Sequence, residues 1–120
     1  MSSYLLSGGE LSELAAQVGM CDVSAIWYKT YEYRPEMGCE DRKRMFFIVL
    51  RLILEEGRAR LQTAGQLLAT PIPEQLDEFS RAWPPEDDWD DDMFWITKSG
   101  VGWTPSGLVW KVADGSDFWT

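Results

Sequence analysis

Apolar residues recur at helical spacing soon after the start of the chain. Four of them share one helical face: Leu11, Leu14, Ala15 and Val18. Just before them, Ser7 and Glu10 have the three-residue spacing of a capping box, in which each side chain accepts a hydrogen bond from the other residue's backbone N–H. The pattern predicts a first helix at about residues 8–19, with Gly19 as its terminator.

Two more helices are predicted from their caps and apolar positions. Asp22 is placed to cap a helix at about residues 22–33, which must end before Pro35 because proline disfavours helical geometry in the preceding residue. The strongest periodicity spans about residues 40–56, where nine apolar residues form one broad face: Met45, Phe46, Phe47, Ile48, Val49, Leu50, Leu52, Ile53 and Leu54. So broad a face predicts a helix central to the core, followed by Gly57 as a left-handed cap.

Prolines and glycines divide the rest of the chain into short elements. Pro73 suits the start of a helix at about residues 73–83, and the prolines after Trp83 stop it. Beyond the acidic stretch that follows, the period changes, and strands are predicted at about residues 93–97, 108–112 and 117–119. The last two strands form a hairpin, because an Asp-Gly pair tolerates the positive φ values of a tight turn.

The segment at residues 58–62 fits either a continuation of the third helix or a short strand, and its pattern does not decide between them. The predicted fold class is α+β, with N-terminal helices followed by a small C-terminal antiparallel sheet. With 120 residues, of which 45% are apolar, the chain predicts a single folded domain over residues 1–120.

The net charge of −9 is concentrated towards the end of the chain. Residues 61–120 hold eleven acidic and three basic residues, so this half would repel phosphate, which excludes nucleic acid and a winged-helix mode of DNA binding. The longest apolar run, residues 45–50, is too short to span a bilayer, and no secretory signal precedes the first helix. We therefore expect a cytoplasmic protein with reduced cysteines and no membrane partner.

The densest charge lies between the fourth helix and the first predicted strand. Seven consecutive residues there contain six acids and one tryptophan: Glu86, Asp87, Asp88, Trp89, Asp90, Asp91 and Asp92. Because these carboxylates repel one another, displaying them is favourable where a cationic partner compensates. We predict that all seven residues bind a partner, with Trp89 as the aromatic anchor and the charges guiding the encounter. The alternative is a solvated connector.

Tryptophan is unusually frequent, with seven in the chain. Six of them lie in the C-terminal half: Trp83, Trp89, Trp95, Trp103, Trp110 and Trp119. A domain of this size cannot bury all of these side chains wholly, so we expect some to fill the core and others to lie half-exposed at an interface.

The residue types that most catalytic and metal sites need are scarce. The chain has no histidine, which removes the commonest general base and the commonest nitrogen ligand for metals. Cys21 and Cys39 do not form a Cys-x-x-Cys pair, and the acids from Asp88 onward depart from a calcium loop because Met93 stands where that loop needs glycine. A carboxylate pair, as in glycosidases, stays open as a catalytic alternative. The main prediction is a non-enzyme with no cofactor and no metal.

Three segments resemble a family of small uncharacterised bacterial proteins. They are Leu-Glu-Glu-Gly-Arg at residues 54–58, Ala-Trp-Pro at residues 82–84 with the acids that follow, and Val-Trp-Lys-Val-Ala-Asp-Gly-Ser-Asp-Phe-Trp-Thr at residues 109–120. The resemblance covers roughly the last two-thirds of the chain, and its motifs are structural in character: a helix terminator, a Trp-Pro stop and a turn. Members of that family look like cognate immunity proteins encoded beside polymorphic or contact-dependent growth-inhibition toxins. The resemblance implies an immunity role and transfers no binding residue.

These observations predict an immunity protein that binds and neutralises a cognate antibacterial toxin domain. The expected toxin domain is basic, for example a nuclease, because its active-site cleft would accept an array of carboxylates. The alternative is a non-catalytic structural or adaptor protein that self-associates through its C-terminal sheet, since a terminal strand with Phe118 and Trp119 would present an edge to another chain. The sequence leaves both monomer and homodimer open.

Overall fold

Three of the four helices precede the sheet, and the fourth lies in the chain between the second and third strands. A computed structural model describes residues 6–90 and 93–120. In chain order the elements are α1 (Gly8–Gln17), α2 (Ser24–Tyr33), α3 (Cys39–Glu55), β1 (Ala59–Thr63), β2 (Gln66–Leu67), α4 (Ile72–Ala82), a 3-10 turn (Glu86–Asp88), β3 (Gly107–Lys111) and β4 (Asp117–Trp119). The α+β class is confirmed, and each of the four helices lies within two residues of its predicted bounds.

The first helix begins with the predicted capping box. The Ser7 hydroxyl accepts from the backbone N–H of Glu10 at 3.2 Å, and the Glu10 carboxylate accepts from the backbone N–H of Ser7 at 3.0 Å. The other end of the helix has Val18 as its C-cap, directly before the predicted terminator Gly19. The residue with left-handed geometry is Met20, at φ 68°, and not Gly19, so the reversal into α2 does not use the glycine that the sequence offers for it.

The third helix is the centre of the core. It contacts α1, α2, α4 and β1, and its buried side chains include Phe46, Val49 and Ile53. It ends in a Schellman motif: the N–H of Gly57 bonds to the Leu54 carbonyl at 3.1 Å, and the next N–H bonds to the Ile53 carbonyl at 3.1 Å. Gly57 has the predicted left-handed φ of 70°. This termination decides the open question of residues 58–62, because the chain leaves α3 as strand β1.

The sheet is antiparallel throughout, with strand order β2-β1-β3-β4. On β3, the side chains of Leu108 and Trp110 join the core, and the Trp110 indole donates to the Cys21 carbonyl at 2.7 Å, which ties the sheet to the α1–α2 turn. The predicted hairpin between β3 and β4 is confirmed, with Gly115 at φ 89° in its turn. Strand β4 is the edge strand on this side.

The predicted strand at residues 93–97 is wrong. Only Ile96 bonds in strand fashion, through an isolated bridge to Gly102. The physical reason is that Phe94 is drawn wholly into the core, where its N–H donates to the Tyr28 hydroxyl at 3.1 Å, so the backbone turns there and does not run on. Strand β2 had no signal in the sequence.

None of the helices in residues 6–90 and 93–120 has the length and the apolar content that a membrane span requires.

Candidate functional site

A cluster of packed aromatic rings lies beneath the acidic segment. Its members come from all four quarters of the chain: Trp27, Phe46, Phe47, Phe79, Trp83, Trp89, Phe94 and Trp103. Trp83 and Trp89 stack with ring centroids 4.6 Å apart and planes at 17°, and Trp27 meets Trp89 edge-on at 4.9 Å. Such pairs stabilise a core beyond the area that they bury, so this cluster fixes the position of the segments around it.

The predicted anchor role of Trp89 does not fit the structure. Its side chain is 5% exposed and belongs to the aromatic cluster, so its ring is not available to enter a partner's pocket. The acidic residues on both sides of Trp89 made an exposed position look more plausible than a buried one. A lone aromatic residue in a charged stretch turns inward when a large apolar surface lies directly below it, because burying a ring of this size is worth several kcal/mol.

The acidic residues themselves divide into three groups. Glu86 and Asp87 are exposed on the 3-10 turn, as a partner-binding role requires. Asp88 and Asp90 are half-buried, and Asp88 is used within the fold. The remaining two predicted residues, Asp91 and Asp92, lie outside the described residues. Of the five predicted residues that the structure describes, two are therefore fully exposed.

Asp88 holds the loop that follows. Its carboxylate accepts from the backbone N–H of Ser99 at 3.0 Å and from the Ser99 hydroxyl at 3.0 Å, and its carbonyl accepts from the N–H of Lys98 at 2.9 Å. These bonds cap a tight turn that the Thr97 N–H closes by donating to the Val101 carbonyl at 2.9 Å. Asp88, which the sequence predicts to bind a partner, therefore stabilises a loop of its own chain.

The base of the same loop is fixed to the aromatic cluster. The Trp103 indole donates to the Phe94 carbonyl at 2.6 Å, and the N–H of Phe94 donates to Tyr28. Phe94 and Trp103 both contact Trp83. Residues 93–103 are therefore a short hairpin-like loop held at its base by rings and at its tip by Asp88.

Four apolar side chains on this loop face solvent. They are Met93, Trp95, Ile96 and Val101, with exposed fractions of 51%, 38%, 38% and 59%. Because Asp88 bonds to residues 98 and 99, the exposed acids Glu86 and Asp87 lie next to this loop. We refer to these six residues, Glu86, Asp87, Met93, Trp95, Ile96 and Val101, as the loop surface. Its only described basic neighbour on the loop is Lys98.

The loop surface has the residue types that suit protein binding. An apolar centre with an exposed tryptophan, bordered by the acids Glu86 and Asp87 and by one lysine, can provide desolvation energy at the centre and attraction of a charged partner at the rim. Because Asp88 and the aromatic cluster fix the backbone of the loop, little conformational entropy would be lost on binding. Sequence reasoning missed Trp95, Ile96 and Val101 as surface residues because it assigned the first two to a strand. The signal available was the pair of glycines around Val101, which indicates a turn.

The hydrogen bonds of Asp88 make a test of the loop possible. We expect Asp88→Ala to lower the free energy of unfolding by about 1–2 kcal/mol, since the Ser99 N–H loses a charged acceptor. Hydrogen exchange at the Ser99 amide should become faster in the same variant. Asp87→Ala is the matched control, because this exposed neighbour has the same carboxylate and is expected to change stability by less than about 0.5 kcal/mol. Equal behaviour of the two variants would contradict the role of Asp88.

Fold and surface together define a small α+β domain with an apolar, acid-bordered loop. The chain belongs to the family described as protein of unknown function, DUF596, whose model matches residues 54–120. That match runs from the last turn of α3 through the whole sheet and the loop surface. It confirms the predicted membership of an uncharacterised family and carries no activity.

The fold has a counterpart among solved structures. The chain is similar to an uncharacterized protein conserved in bacteria from Neisseria meningitidis, with a TM-score of 0.66 and 21% sequence identity over 92% of this chain and 87% of that chain. At this identity the likeness shows the fold alone. Among curated proteins, no relative of this chain was found.

Proposed function

We propose that the protein is a non-catalytic binding protein that neutralises a basic toxin domain, as an immunity protein does in the cytoplasm. The observation that supports this most directly is the loop surface. Its four exposed apolar side chains lie on a loop that Asp88 and the aromatic cluster hold in place, next to the acids Glu86 and Asp87, for which no ion pair with a described residue is found. In this proposal Trp95 takes the anchor role that the sequence assigns to Trp89.

The distribution of charge supports a basic partner. Six of the eleven basic side chains lie within 4.0 Å of a carboxylate in the described part of the chain: Lys29, Arg34, Arg44, Arg51, Arg58 and Arg81. Most positive charge is therefore compensated locally, while the acids that exceed it, including Glu86 and Asp87, remain to attract a partner. A net charge of −9 on a domain of this size raises the association rate with a cationic protein, and added salt weakens that effect.

Two described acids with a lowered pKa, Glu10 and Asp114, have structural roles in the fold. Hydrogen bonds hold the pKa of the Glu10 carboxyl below its ordinary value, the largest effect coming from the Ser7 backbone N–H. The pKa of Asp114 is likewise lowered, mainly by the Ser116 side chain. A general acid needs a raised pKa, so both carboxylates have the character of a cap and a turn, not of a glycosidase acid.

Capture followed by rescue tests the proposal. The tagged chain is used as bait in a lysate of its native host at low and physiological salt, and the captured protein is then expressed in a test strain with and without the chain. We expect a basic protein that stops growth when expressed alone and that is harmless when the chain is present. A captured protein whose toxicity the chain leaves unchanged would overturn the proposal.

A second candidate function is self-association through the sheet, which the edge strand β4 favours. Phe118 and Trp119 on it are 45% and 47% exposed. The N–H of Thr120 bonds to the Leu108 carbonyl, and the N–H of Val112 bonds to the Ser116 carbonyl, each at 2.9–3.0 Å. Since ladder bonds alternate along an antiparallel pair, the backbone groups of Asp117 and Trp119 point away from β3 and are open to another strand.

Sedimentation separates the two candidates. Self-association through β4 predicts a concentration-dependent dimer that the double variant Phe118→Lys, Trp119→Lys abolishes, while Trp95→Lys on the loop surface leaves it unchanged. A monomer at every concentration would reject the second candidate and leave the first unaffected.

A further inference from the structure

A separate pocket lies where α3 ends and α4 begins, and it shares no lining residue with the loop surface. Its volume is about 310 Å³, near the lower limit of small-ligand sites. It is lined by the end of α3, by β1, by the segment that joins β2 to α4, and by the last residue of β3. Apolar side chains form much of its wall: Leu54, Ala59, Leu68, Ala69 and Ile72.

Two cations line this pocket, Arg60 and Lys111. Of the eleven basic residues, six pair with carboxylates, while Arg42 and Lys43 lie over aromatic rings. In the described part of the chain, that leaves three cations with neither an ion pair to a described carboxylate nor an aromatic ring beneath them, namely Arg60, Lys98 and Lys111. Two of these three share one pocket in a protein with an excess of acids, and no carboxylate is among the residues that line it.

The backbone places both residues on the same face of the sheet. Arg60 pairs with Val109 across β1 and β3, and the N–H of Lys111 donates to the Arg58 carbonyl at 3.0 Å. Since side chains alternate along a strand, Arg60 and Lys111 project from the same face of the sheet. The Arg60 guanidinium donates to the Leu68 carbonyl at 3.1 Å, which fixes it at the pocket wall and leaves further N–H groups for a ligand.

The start of α4 forms one edge of the pocket. Ile72, the first residue of α4, lines the pocket, and no side chain caps this helix end. The N-terminal end of this helix has its own negative charge in Glu74, and Pro73 has no N–H to donate, so the positive character of the site comes from Arg60 and Lys111. Gln75, on the next turn, is buried and donates to the Thr70 carbonyl, so it shapes the wall and does not oppose an anion.

We propose that this pocket binds a small organic anion, a carboxylate that carries a short apolar chain. The apolar wall takes the chain, and Arg60 and Lys111 take the carboxylate. Charge-assisted hydrogen bonds to a carboxylate are stronger than neutral ones, so the head group gives the site its selectivity. The site is independent of the loop surface and does not rest on the proposed function.

Titration followed by two-dimensional amide NMR tests the proposal with three probes of equal chain length: hexanoate, hexanol and hexylammonium. We expect hexanoate to shift the amides of Ala59, Leu68 and Thr70, with saturation, whereas hexanol binds at least about tenfold more weakly and hexylammonium does not bind. Equal shifts with hexanol would reduce the site to an apolar hollow and overturn the proposal. The absence of shifts with hexanoate would also overturn it.

A matched pair of variants tests whether Lys111 binds the carboxylate. Lys111→Gln should weaken hexanoate binding by about tenfold, while Lys98→Gln, which removes an exposed lysine outside the pocket, should leave it unchanged. Unshifted amides elsewhere in the spectrum of Lys111→Gln show that the fold is intact. If both variants bind hexanoate like the wild type, Lys111 does not hold the carboxylate and the proposal fails.

Discussion

Replacing Trp89 with alanine is expected to lower the free energy of unfolding by about 3–5 kcal/mol, the range for truncating a buried large aromatic residue. The ring is 5% exposed and contacts Trp27, Trp83, Phe94 and Trp103. Its removal leaves a cavity between rings that cannot close without moving the 3-10 turn. Small domains have total stabilities of about 5–15 kcal/mol, so this one change approaches the limit of what the fold tolerates.

Calorimetry measures this effect without depending on the optical signal of the deleted ring. Trp95→Ala is the control, since the same residue type at 38% exposure should cost less than about 1.5 kcal/mol. The two variants distinguish a core tryptophan from a surface tryptophan six positions apart. A Trp89→Ala protein as stable as the Trp95→Ala protein would mean that Trp89 does not belong to the core.

We expect the acids of the loop surface to control the rate of association and Trp95 to control the rate of dissociation. With the toxin domain that the capture experiment supplies, the double charge reversal Glu86→Lys, Asp87→Lys should slow association by about tenfold at low salt and flatten its salt dependence. Trp95→Ala should instead speed dissociation by about 30-fold, equivalent to a loss of about 2 kcal/mol at a hot-spot residue. Stopped-flow or surface-binding kinetics at two salt concentrations measures both rates.

The control for charge is a reversal of equal size at a distant place. Glu55→Lys, Glu56→Lys changes the net charge by the same amount at the C-terminal end of α3, away from the end that contacts the aromatic cluster. If the two double variants slow association equally, the overall charge steers the partner and the loop surface does not. Normal dissociation of the Trp95→Ala complex would remove the loop from the interface.

The helices could be predicted from the sequence because their signals are local. The capping box of Ser7 and Glu10, the apolar face of α3 and the terminator Gly57 each lie within one or two turns of the element that they define. The choice of strand for residues 59–63 needed tertiary information, since it depends on pairing with β3, more than forty residues later. A pattern of this length does not contain its distant partner.

The candidate site could be predicted only in part, for the same reason. The density of acids marked the correct region, but the role of each acid depends on contacts outside the segment. Asp88 is internal because Ser99, eleven residues on, is within reach of its carboxylate. Trp89 is internal because rings from α2 and from the end of α4 meet below it. Neither contact can be inferred from the residues next to Asp88 and Trp89 in the sequence, so both were predicted to face a partner.

The stacked pair of Trp83 and Trp89 has a spectroscopic consequence. Two indoles at 4.6 Å with planes at 17° are close enough for their electronic transitions to couple, and coupled transitions in a chiral arrangement give a paired positive and negative signal in the far-ultraviolet circular dichroism. That signal overlaps the helical bands, so helix content read from the spectrum alone would be in error. It also vanishes as soon as the two rings separate, even where the helices persist. The native spectrum therefore contains its own indicator of tertiary packing, visible without any label.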